Sequence, residues 1–77
     1  MLAGLAMPPP EYDHTPRHRP SIIEFAPELI NAACGASYHI AGCFIRGKVF
    51  LRNDMTPKAR AKVLRHEYGH ANGWEHG

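Results

Sequence analysis

Residues 56–73 read Thr56-Pro57-Lys58-Ala59-Arg60-Ala61-Lys62-Val63-Leu64-Arg65-His66-Glu67-Tyr68-Gly69-His70-Ala71-Asn72-Gly73, and this stretch decides the fold. Thr56 is a good N-cap, because its hydroxyl can accept from an orphan amide of the first turn. Pro57 suits the first helical position, where a missing N–H costs nothing. Asn72-Gly73 provides the stop. The spacing therefore predicts one helix from Pro57 to about Ala71. At about 100° per residue, Ala59, Val63, His66 and His70 share one face. Leu64, Tyr68, Ala61 and Ala71 fall on a second face, expected to meet a sheet. Lys58, Lys62 and Arg65 fall on a third, expected in water.

Working upstream, Tyr38 to Ile45 and Lys48 to Arg52 are rich in β-formers, and Arg46-Gly47 separates them at hairpin spacing. Pro27, Glu28 and Gly35 bracket a short helix near 27–34, with Leu29, Ile30 and Ala33 on its apolar face. Ser21 to Ala26 is an apolar run of strand length. Residues 1–20 hold five of the seven prolines, including Pro8-Pro9-Pro10. Proline cannot donate to a ladder and disfavours helix before it. We read 1–20 as an extended arm that orders against a partner, and 21–77 as the folded domain. The expected class is a small single-domain α+β protein: a proline-rich arm, a short strand, a short helix, a β-hairpin and a long C-terminal helix.

At 77 residues and 8.6 kDa the chain can bury only a small core, so a staple would help. With 44% hydrophobic and 21% charged residues, wholesale disorder is excluded. No apolar run approaches the roughly 20 residues that span a membrane. Met1 to Met7 is apolar but short and lacks a basic side chain, which makes a poor signal peptide. The expected location is the cytoplasm, or release by lysis or carriage in a particle. The net charge of +2 conceals a basic stretch of Arg46, Lys48, Arg52, Lys58, Arg60, Lys62 and Arg65, opposed there only by Asp54. Without aromatic interleaving or a recognised motif, a nucleic-acid partner is disfavoured, and a solvated face is the plain reading. His14 and His18 read as surface residues. Cys34 and Cys43 do not have a zinc-knuckle spacing. Two buried thiols are the plain expectation, with a disulfide or a second metal site including His39 as alternatives.

The chemistry lies at the end of the long helix. His66 and His70 stand one turn apart, so both imidazoles can reach one ion, and imidazole suits zinc. Glu67 is rotated away from the mean ligand direction, where it can reach a metal-bound water as a general base. The string continues through Ala71-Asn72-Gly73-Trp74-Glu75-His76 and reads HExxHxxGxxH in full. A continuous helix would carry His76 roughly 15 Å past His66. A break at Gly73, which can take positive φ, brings it back. Trp74 is expected to pack over the helix end. Three ligands would leave the fourth zinc position for water.

The string from His66 to His76 resembles the zinc-binding signature of the metzincin metallopeptidases. The resemblance implies one zinc per chain on His66, His70 and His76, with Glu67 as the catalytic base of a zinc metalloendopeptidase. It also implies that the edge strand of the hairpin, about 40–45, binds an extended peptide or protein substrate. The implied form is a minimal one, without the family's methionine turn and C-terminal subdomain. A protein partner completing the cleft is one expectation. A non-catalytic zinc-stabilised module and a component of a larger, viral-particle assembly are the alternatives.

Overall fold

The computed structural model describes residues 5–37 and 39–75. Strand β1 (Ser21–Phe25) leads into helix α1 (Pro27–Cys34), then strands β2 (Gly42–Ile45) and β3 (Lys48–Arg52), then helix α2 (Pro57–Ala71). The protein is thus a small α+β fold with a three-stranded sheet and two helices, the second C-terminal. The sheet order is β1-β3-β2. The hairpin partner β2 runs antiparallel to β3, from Gly42 opposite Leu51 to Ile45 opposite Lys48. β1 adds in parallel on the other side, from Ser21 beside Lys48 to Phe25 beside Arg52. A parallel pair needs a crossover, and the chain through α1 supplies it.

Arg46 and Gly47 make the hairpin turn at φ of 50° and 76°. Positive φ at both central positions matches the twist of the flanking strands, as in a type I′ turn. β2 is shorter than the expected run from Tyr38. Ile40 donates its amide to Asn31 Oδ1 at 3.4 Å, which draws that segment toward α1. Tyr38 itself lies outside the described residues.

The pleat puts Val49 and Leu51 on one face of β3, and both are fully buried. Val63 of α2 closes over them, with Leu5, Ala41, Phe44, Met55, Leu64 and Tyr68 packed around. The second-face expectation for α2 is therefore corrected. Val63 meets the sheet, Leu64 and Tyr68 flank it, and Ala61 is exposed. Phe25 and Phe50 meet edge to face at 5.1 Å. Ile30 buries α1.

Cys34 and Cys43 form a disulfide, tying the end of α1 to β2. This overturns the expectation of two free thiols and also rules out thiolate ligands at these positions. Closing a loop of this size stabilises a fold by about 2.5 kcal/mol in the chain-entropy account.

The N-terminal arm packs on its own chain. Pro8 is buried and sits against Gly69 of α2. Pro10–Tyr12 makes a single 3-10 turn. Asn72 Nδ2 donates to the carbonyls of Tyr12, at 2.9 Å, and His14, at 2.7 Å. Arg65 Nε donates to Asp13 Oδ1 at 2.7 Å. These bonds hold Tyr12 to His14 against the last turns of α2. Among the described residues no helix is long and apolar enough to cross a membrane.

Candidate functional site

α2 begins as its sequence dictates, with Thr56 Oγ1 accepting from the Ala59 amide at 3.2 Å. It ends where the Asn72, Gly73 and Trp74 amides return to Tyr68, His70 and Gly69 carbonyls. Gly73 takes φ of 106°, so the chain breaks from the helix there. The break turns Trp74 back over the last turn, where its indole stacks on His70 with centroids 4.8 Å apart and planes at 7°. The His66 ring meets Trp74 edge-on at 5.0 Å.

His66 and His70 come together as their spacing requires. His66 Nδ1 lies 2.6 Å from the Ala6 carbonyl, and His70 Nδ1 lies 2.7 Å from the Trp74 carbonyl. A carbonyl oxygen only accepts, so each Nδ1 must carry its proton. The Nε2 atoms then face one another at 3.1 Å. Neither carbonyl was visible as a site residue in the sequence, because backbone acceptors have no residue-type signal.

Glu67 is buried, with 5% exposure, and His66 with 6%. Burial pushes the Glu67 carboxyl up from 4.5 to about 7, because the charged form loses its water. The sequence placed this side chain beside the metal-bound water and gave no sign of its desolvation.

An open cleft of about 1760 Å³ runs between α2 and β2. His66, Glu67 and His70 line it from the helix, and His39 to Phe44 line it from the sheet edge. Leu5 and Ala6 of the arm and Trp74 also reach it. β2 is a sheet edge, with β3 on its other side. His14 and His18 lie on the surface, as expected.

The zinc centre and the metzincin assignment are corrected here. Among the described residues no group of three or more His, Cys, Asp or Glu side chains could hold a metal ion. His66 and His70 supply two converging donors, one short of the three that an open catalytic zinc uses. Cys34 and Cys43 are consumed by their disulfide, and His76 lies outside the described residues. No family model, curated protein or solved structure matches this chain. The HExxHxxGxxH string thus remains an unaccompanied motif, with no family match and no described three-donor group behind it.

Proposed function

We propose that this protein hydrolyses peptide bonds, with Glu67 as general base and an extended peptide laid along the edge of β2. The observation that carries this reading is a desolvated carboxyl opening into a cleft whose opposite wall is a sheet edge. An edge strand offers main-chain donors and acceptors to a further strand, which selects extended backbone with little regard to sequence. A carboxyl that titrates near neutrality suits proton transfer at physiological pH. Ionised Glu67 takes a proton from water as the oxygen attacks the peptide carbonyl carbon. The carbonyl π pair moves to oxygen, placing the oxyanion on the side of the cleft that His66 and His70 line. Glu67 returns its proton to the amine as the C–N bond breaks, leaving an acid and an amine.

The Cys34–Cys43 disulfide supports a place of action outside a reducing cytosol, in contrast to the cytoplasmic expectation from the sequence. A second reading, as a component of a larger assembly, is favoured by Ile22 and Ile23 of β1 and Leu29 of α1. They are 37%, 37% and 55% exposed, and none of them lines the cleft.

The test is incubation of the disulfide-intact chain with a degenerate peptide library, followed by mass spectrometry of new termini. Cleavage is expected, and N-methylation of backbone amides on alternate residues should suppress it. A library left intact at all pH values from 5 to 9 would reject the peptidase reading.

A further inference from the structure

The arginines around α2 are occupied. Arg52 makes two hydrogen bonds to Asp54, at 2.9 and 2.6 Å. Arg60 reaches Glu24 at 3.2 Å, and Arg65 holds Asp13. Arg52 also keeps the Asp54 carboxyl below its ordinary value, so that acid stays ionised and engaged. Lys58 and Lys62 differ. Both are exposed, both line the cleft, and neither has an ion-pair partner among the described residues.

The other charges facing this cleft are Arg52 with Asp54, the buried Glu67, and Glu75 beside Trp74 at the opposite end of the helix. The half of the cleft along the start of α2 therefore carries two uncompensated positive charges. Lys58 also stands in the first helical turn, which has no acidic residue. A cation there opposes the helix dipole. Lys58 thus costs the helix stability locally while its side chain lines the cleft.

We propose that the peptide bound in this cleft carries acidic side chains at alternating positions, held by Lys58 and Lys62. The inference rests on the reading of the cleft as a peptide site and names the class of peptide. Four helical residues separate the two lysines by about 6 Å along the axis. Residues two apart in an extended strand are about 6.6 Å apart and point to the same side. One lysine therefore matches each of two carboxylates in the pattern acid-x-acid. Lys62 precedes His66 by about 6 Å along the helix, so the nearer acid lies about two residues from the bond cleaved, and the farther about four.

The test separates binding from hydrolysis. Glu67→Gln protein is titrated against fluorescein-labelled extended peptides bearing Glu-x-Glu or Gln-x-Gln, with anisotropy read at low and at 0.5 M salt. About tenfold tighter binding of the Glu-x-Glu peptide is expected at low salt, which two partly exposed ion pairs can supply. The preference should vanish at high salt. In a background also carrying Lys58→Gln and Lys62→Gln, the ratio of the two affinities should fall to about one. Thermal melting provides the control against misfolding, because Lys58→Gln should hold or raise the melting temperature while the preference is lost. Equal affinity of the two peptides, or a preference that survives both substitutions, overturns the inference. Tighter binding of a single-stranded oligonucleotide than of Glu-x-Glu overturns it in favour of a nucleic-acid surface. Acid-selective binding by a protein that cuts no peptide keeps the inference and rejects hydrolysis alone.

Discussion

Replacing Glu67 by glutamine should change how the stability of the fold depends on pH. Glu67 is 5% exposed, and burial raises its carboxyl from 4.5 to about 7. In the unfolded chain the proton leaves near 4.5, whereas the native state keeps it until about 7. Between those values the native state binds more protons than the unfolded one, so native stability falls as pH rises. At about 1.4 kcal/mol per tenfold change in proton affinity, the loss amounts to about 3 kcal/mol. Below pH 4.5 the buried group is a neutral acid in both states, and glutamine is a close substitute. Glu67→Gln should therefore match wild type at pH 4 and exceed it by about 3 kcal/mol at pH 8. Urea unfolding followed by far-UV circular dichroism, with the disulfide intact, reads this directly. With a slope of about 1 kcal/mol/M, the two midpoints should separate by 2–3 M at pH 8. The pairwise difference cancels the histidines and the surface carboxylates, which both proteins share. Parallel curves from pH 4 to 8 would refute the desolvation of Glu67.

Other changes probe the parts that position the cleft. Reducing Cys34–Cys43, or replacing both by serine, should cost about 2.5 kcal/mol in urea unfolding, and an unchanged midpoint would contradict the staple role. Gly69→Ala would ordinarily favour a helix by about 1 kcal/mol. Here the new Cβ would lie 2.5 Å from Pro8 Cγ and 2.9 Å from the Trp74 indole. The melting temperature should therefore fall by about 4–8 °C or more, and a rise would refute the packing of the arm on α2. Arg46 holds φ of 50° beside Gly47. Arg46→Asn should raise stability by about 0.5–1 kcal/mol by calorimetry, because asparagine tolerates that conformation better.

The elements were legible where local chemistry decides them. Thr56-Pro57 and Asn72-Gly73 mark α2, Pro27 and Gly35 mark α1, and Arg46-Gly47 marks the turn, with the structure placing each element within a few residues. What was not legible is how those elements meet. Helical angles separate the faces of α2 but do not say which of two adjacent apolar stripes a sheet will cover, so Val63 was placed with the histidines. The parallel pairing of β1 with β3, and the disulfide, both depend on distances that arise only after α1 folds back. At the site, the spacing of His66 and His70 foretold their meeting. The carbonyls of Ala6 and Trp74 that orient them come from a proline-rich arm and a helix break, which carry no signature of that role. The third histidine of the motif lies outside the described residues, and no three-donor group forms among those described. Lys58 and Lys62 are exposed, as the helical period indicates, but period alone does not show that a cleft opens beside them.

The most direct test of the account is the ratio of kcat/KM for wild type and Glu67→Gln on one well-cleaved peptide. The comparison is made at pH 7.5 with both proteins shown to be folded. Loss of a general base should lower the value by about a hundredfold or more, carried in kcat with KM little changed. A variant within twofold of wild type would contradict Glu67 as the base and remove the central claim.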